Sequence, residues 1–283
     1  MSGATATSPW FSANTDKAWA ERFFLLYIPV WFAFNMAVHA MGWLDTGNFW
    51  NITQNLLMWL PWCVLLPAWL RRHSGIPWQQ SYWFKFNVFI VVWTFWGTYF
   101  HTEYFFEVLG MRYRFPEVTL YFDSALVGPD EASALASNQK VPPSMYLNAT
   151  AFFVVYHASA IVVMRRIRAF VTGWQPLARG LAWAAIVGVV SVFWAWMETF
   201  FYFKMAANDM ANVWYEDLDR MLDWGSWFYA LYFIVAFPMI YRLDEDPDAP
   251  RWPISRVVIE ASAVGIFTLF LIDLATHALG GRL

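Results

Sequence analysis

The chain has 283 residues, 59% hydrophobic and 14% charged, against roughly 25% charged residues in an ordinary soluble domain, so water is not its main solvent. A net charge of -3 without a basic stripe leaves no footprint for a nucleic-acid partner, and the single cysteine, Cys63, excludes an intrachain disulfide and a cysteine-based zinc site. Aromatic residues make up 21% of the chain, with 20 Trp; such rings favour membrane interfaces and apolar cavities that accept rigid, flat ligands.

Residues 1–20 are polar and lack the parts of a signal peptide, so the first apolar run is expected to act as its own insertion signal. About 20 apolar residues cross the hydrocarbon core. Seven candidate runs follow in order, at 22–43, 55–71, 83–106, 146–165, 179–203, 226–242 and 256–277. The expected fold class is all-α, a polytopic integral membrane helix bundle of about seven spans, forming one membrane-embedded domain over 1–283. The second run is short and contains Pro61 and Pro67. It is expected to be kinked or re-entrant, which makes six spans the alternative count. Residues 107–145 carry Gly-Pro-Asp-Glu and a Ser/Ala-rich piece and read as an extramembrane loop.

Lys and Arg orient the bundle, because cytoplasmic loops are enriched in them. With seven spans, the N-terminus and the second, fourth and sixth loops share one side. That side holds 12 of the 18 basic residues, which predicts a cytoplasmic N-terminus. His39, His101 with Glu103, Glu198, and Asp273 with His277 then lie toward the non-cytoplasmic ends of four helices, where they could converge.

Ionisable side chains inside spans are costly and usually face a bundle interior or cavity. In Tyr99-Phe-His-Thr-Glu-Tyr-Phe-Phe-Glu107 the helical spacing places Trp96, Tyr99, Glu103 and Glu107 on one face, with His101 pointing elsewhere. A carboxyl in an apolar site can serve as a general acid, which makes Glu103 a candidate. Glu107, at the span's edge, reads as an interfacial charge. His157 follows Tyr156 in a run of Phe, Val, Ala and Ile and has no partner nearby in sequence; its structural reading is a hydrogen bond to another helix. Glu198, in Trp194-Ala-Trp-Met-Glu-Thr-Phe-Phe-Tyr202, is an acid in a nearly continuous aromatic run and is the leading single site. Asp273 and His277, at i and i+4, can form an acid–imidazole pair or simply finish the helix. The acid-rich segment 215–220 reads as a solvated face or a lid, and His39 as a bystander. Neither Glu-x-x-His nor His-Glu-x-x-His occurs, so no metal site is expected. A bis-His haem drawn from His39, His101, His157 and His277 is a minor alternative. Glycine-rich phosphate loops and Gly-x-Ser-x-Gly are absent from the sequence.

The order of segments resembles the cycloeucalenol cycloisomerase family, the cyclopropyl sterol isomerases, over nearly the whole chain. It is carried by Trp10-Phe-Ser-Ala-Asn14, Glu21-Arg-Phe-Phe-Leu-Leu-Tyr27, Tyr104-Phe-Phe-Glu-Val-Leu-Gly110, Tyr156-His157, Arg165-Arg-Ile-Arg168, Met197-Glu-Thr199, Tyr215-Glu216 with Asp219-Arg220, Phe228 through Pro238, Arg242-Leu-Asp-Glu245, Ser255-Arg-Val257 and Ile272-Asp-Leu274. The resemblance implies opening of a 9β,19-cyclopropane ring by acid/base proton transfer with no cofactor, on a sterol held in the bilayer. It favours Glu198, His157 and Asp273, which match the family, while Glu103 departs from the family's pattern and enters the expected catalytic set on the reading of its own segment; Glu198 is the expected proton donor and His157 or Glu103 the acceptor or relay. Trp96, Tyr99, Tyr104, Trp194, Tyr202, Tyr215 and Glu216 are the expected substrate-binding groups. The competing readings are a non-catalytic sterol or isoprenoid binder and a haem or quinone membrane subunit.

Overall fold

The computed structural model describes residues 10–122, 140–205 and 212–280. Among these, the chain forms seven long helical rods and one two-stranded ribbon. The rods are α1 (Thr15–Ala40); α2 (Gly47–Leu60) continued by α3 (Leu66–Leu70); α4 (Tyr82–Trp96) continued by α5 (Thr102–Glu107); α6 (Pro143–Phe170); α7 (Pro176–Thr199); α8 (Leu218–Arg220) continued by α9 (Ser226–Arg242); and α10 (Ile254–Leu279). Within the split rods, and after α7, short π-helical turns bridge the pieces at Pro61–Leu65, Gly97–His101, Phe200–Met205 and Met221–Gly225.

Five rods are long and apolar enough to cross a membrane, Thr15–Ala40, Pro143–Phe170, Pro176–Lys204, Leu218–Arg242 and Ile254–Leu279. The chain is a membrane helix bundle. The other two rods, at 47–70 and 82–107, are comparable in length, but Asn48, Asn51, Gln54 and Asn55 in one and a run of Trp, Tyr and His in the other make them less apolar. All seven predicted runs fall on these rods. The second is continuous rather than re-entrant: the turn at Pro61 widens, with the Leu66 amide donating to the Pro61 carbonyl five residues back, and the helix runs on into α3.

The core rod is α6, packed by α1, α2, α4, α7 and α9, with Ala151, Val154, Ala158, Ala160 and Ile161 completely buried. On the far side, α10 packs against α4 and α9. Their approach depends on Gly265, where a Cβ would lie 2.4 Å from Cγ of Trp96.

One end of the bundle is tied by buried charges. Arg165 of α6 grips Glu21 of α1 through two bonds of 2.9 and 2.7 Å and Glu245 through two more of 2.8 and 2.7 Å. Lys17 reaches Glu245 at 2.9 Å and the carbonyls of Tyr241 and Leu243, while Lys85 of α4 pairs with Asp244. Asp16 accepts from Arg71 and Arg251. Charges leave water at high cost unless paired with good geometry, and these bidentate bonds supply it. Burial alone would push the Glu245 carboxyl up, but the hydrogen bonds from Arg165 and the charge of Lys17 outweigh it and hold the group below the ordinary range.

At the opposite end, β1 (Met111–Tyr113) pairs antiparallel with β2 (Val213–Tyr215), Arg112 facing Trp214. Arg112 is also paired with Glu216 at 2.9 Å. Asp45 and Asn48 bind the backbone of residues 117–120. The Gly-Pro-Asp-Glu and Ser/Ala-rich piece of the expected loop lies outside the described residues.

Candidate active site

Glu198 stands one residue before the end of α7, where the helix widens into the turn at Phe200–Met205. An acid inside an apolar bundle needs donors to offset lost hydration, and the bundle surrounds this one with phenols. The Tyr229 hydroxyl of α9 donates to its carboxylate. Tyr156 of α6, Tyr113 and Tyr215 of the ribbon, and Tyr202 one turn further along all lie within electrostatic reach of it. Burial first, and then the Glu198 charge, raise the Tyr113 and Tyr215 hydroxyls above the ordinary phenol range, so both remain protonated donors.

Two chambers meet at this carboxylate. The larger, about 280 Å³, runs between α1, α6 and α7 and is lined by Ile28, Trp31, Phe32, Asn35, Met36 and His39, by Phe152, Val155 and Tyr156, and by Phe193, Trp194, Met197, Glu198, Phe201 and Tyr202. Its walls are almost entirely apolar. Helices α1 and α7 each pack on α6, and the gap between them is edged by the exposed side chains of Phe32, Met36, Phe193 and Phe201. The chamber therefore opens sideways, toward hydrocarbon. The smaller, about 110 Å³, lies between α4, α6 and α9 and is lined in part by Thr94, Thr98, Thr102, Asn148, Tyr113, Tyr229, Tyr232 and Glu198. Thr94 and Thr150 share a 2.9 Å bond there, and Tyr232 donates to the carbonyl of His101 at 2.8 Å, a group left accessible by the widened turn at Gly97–His101.

Of the expected residues, Glu198, Trp194 and Tyr202 meet in the larger chamber and Tyr215 stands near it. The others go elsewhere. His157 is fully buried beside the chamber wall but turned the other way, bonded by its Nδ1 to the Phe153 carbonyl at 2.8 Å and packed on Phe153, Phe233 and Phe237. Helical geometry explains this, since residues 156 and 157 point about 100° apart. Glu103 is buried but lines neither chamber. Asp273 is exposed and accepts from Tyr104 at 3.0 Å, because α10 packs on the side of the bundle away from α1 and α7. Glu103 and Asp273 thus do not meet Glu198 in either chamber. Trp96 packs on Gly265, Tyr99 stacks on Phe95, and Glu216 pairs with Arg112 at the surface. The four histidines weighed for haem each have their own surroundings: His101 against Trp93 and Tyr232, His157 among phenylalanines, His277 exposed, and His39, read as a bystander, on the chamber wall.

No protein-family model and no solved structure matches the chain. A curated relative does: cycloeucalenol cycloisomerase of Arabidopsis thaliana is 30% identical over 293 aligned residues, covering 99% of this chain and 92% of the relative. The chain belongs to the cycloeucalenol cycloisomerase family. It is thus a membrane-embedded member of a family of sterol isomerases. In this cycloisomerase-family chain, sequence reasoning passed over Tyr229, Tyr113 and Asn148, which only packing brings to Glu198 or its second chamber. For Tyr229 a signal existed: a tyrosine four positions into a span, at a depth matching the acid on the neighbouring rod.

Proposed function

We propose that the chain opens the 9β,19-cyclopropane ring of a cyclopropyl sterol, in the manner of cycloeucalenol to obtusifoliol, with Glu198 as the proton donor. The observation that carries this is the single carboxylate in the predominantly apolar wall of a chamber open at the side of the bundle. A flat tetracyclic substrate suits those aromatic walls.

The reaction delivers a proton from Glu198 to C19 as the C9–C19 bond breaks, leaving cationic character at C9. Loss of the proton on C8 then forms the 8,9 double bond. One proton enters and one leaves, so the formula is unchanged. Both events occur on the β face, and the Glu198 carboxylate left by the first step is the base for the second. The placement of His157 off the chamber supports giving Glu198 both roles. Tyr229 holds the carboxylate in line, and the faces of Trp194, Phe152 and Tyr156 stabilise the transient cation without capturing it. The 12 basic residues at the charge-tied end support a cytoplasmic N-terminus.

The test is incubation of the purified protein with cycloeucalenol and analysis of the sterol by mass spectrometry and NMR. Conversion to one isomer of unchanged mass with an 8,9 double bond supports the reading. Saturable binding without conversion replaces it with a non-catalytic sterol binder.

A further inference from the structure

The larger chamber has little polar surface, so the few polar atoms in its wall limit how a molecule with a single hydroxyl can lie there. Among the described residues, the Asn35 amide nitrogen is occupied, donating to the Trp31 carbonyl at 3.0 Å and facing the Met58 sulfur. Tyr156 and Glu198 belong to the acid site. Two buried nitrogens remain without a partner, Nε1 of Trp31 and Nε2 of His39.

These two lie eight residues apart on α1, about 12 Å along the helix, on either side of the level of Glu198. His39 is at the end of α1 near the ribbon, next to the terminal residue of the helix, with its ring edge-on to Tyr202 at 4.7 Å. Tyr202 follows Glu198 by one turn, roughly 6 Å. That is the scale of the one six-membered ring separating a 3-hydroxyl from the reacting carbons. An indole N–H only donates, whereas a neutral imidazole can donate or accept, and a sterol hydroxyl does both. The hydroxyl of a sterol in a bilayer also sits at the interface with its tail inward. His39 is at an interface, and the rest of the chamber, from Phe32 to Ile28 and Val155, runs inward.

We infer that His39 anchors the substrate's 3-hydroxyl, so that the sterol enters sideways between α1 and α7 from the leaflet at the ribbon end, without inverting, and comes to rest with its cyclopropane ring at Glu198. This rests on the function proposed above. His39 acts in binding and register, and touches no reacting atom.

The experiment compares KM for cycloeucalenol and for its 3-deoxy analogue in the wild type, His39→Phe and His39→Gln, each checked for an unchanged melting temperature. The wild type favours the hydroxylated sterol about tenfold, the worth of one such hydrogen bond. His39→Phe brings the two KM values together, and His39→Gln, which keeps a donor and an acceptor, retains most of the preference. An undiminished preference in His39→Phe overturns the assignment, as does a wild type without preference. A wild type that converts neither sterol overturns the underlying function instead.

Discussion

The hydroxyl of Tyr229 on α9 donates to the carboxylate of Glu198 on α7, joining the two helices at the point where the chambers meet. An acid held by one strong donor is fixed in direction, and proton transfer to carbon depends steeply on direction. Replacing Glu198 with Gln keeps the shape and removes the transferable proton. The expected outcome is loss of isomerisation by about 10²–10⁴-fold with sterol binding retained, read from single-turnover conversion beside equilibrium binding. Full activity in Glu198→Gln removes the residue from the role. Tyr229→Phe keeps the acid but frees it, so kcat falls about 10- to 100-fold, the range of a hydrogen bond to a charged group, while KM changes little.

Arg165 serves two carboxylates at once, and one of them, Glu21, is fully buried. Arg165→Met leaves that charge without its partner, which costs about 3–5 kcal/mol and is measurable as a lowered melting temperature in detergent. Glu21→Gln with Arg165→Met together recovers part of the loss, since the penalty is that of the orphaned charge rather than of the missing pair.

The same network sets a pH dependence. Glu245 is held below the ordinary carboxylate range in the folded chain, so the unfolded chain takes up its proton first as pH falls. The stability it contributes is complete above the ordinary Glu value of about 4.3 and is lost on acidification through the folded value. Glu245→Gln is expected to be less stable than wild type at neutral pH and to converge with it in acid. A constant difference across a pH series of melting temperatures contradicts this.

The span pattern was legible in the sequence because hydropathy is a local property; the run at Pro61 and Pro67 was the exception, expected to be kinked or re-entrant, because the sequence does not show how a widened turn carries the helix past Pro61. Glu198 was legible for a related reason, an acid among aromatics being expensive wherever it lies. Its surroundings were not. Tyr229 arrives from α9 and Tyr113 from a three-residue strand, and their approach follows from how rods pack. Asp273 shows the converse. Its i, i+4 relation to His277 is plain in the sequence, but which face of α10 meets the bundle is decided by Gly265 against Trp96, and that contact leaves Asp273 outside.

That contact also yields a prediction. Gly265→Ala places a methyl group 2.4 Å from Cγ and 2.7 Å from Cβ and Cδ2 of Trp96, closer than any packing tolerates, and the indole is wedged between rods. Overpacking of this kind costs about 1–3 kcal/mol. Trp96→Gly in the same chain removes all three of these atoms. The double variant is expected to lose clearly less than the sum of the two single losses, whereas additive losses would mean that the two residues do not press on each other.

The orientation of the bundle can be tested with the chain's own cysteine chemistry. Cys63 is completely buried and is the only cysteine, so an impermeant maleimide meets little background. Glu117 and Asp248 are both exposed, the first beside the ribbon and the second in the segment that carries the charge network. With 12 basic residues at the network end, the enrichment of Lys and Arg in cytoplasmic loops predicts that this end faces the cytoplasm. Glu117→Cys is therefore expected to react in intact cells and Asp248→Cys only after permeabilisation. The reverse pattern inverts the bundle, and with it the leaflet from which a sterol would reach His39; labelling of both sites in intact cells would mean that the two loops do not lie on opposite sides of a membrane.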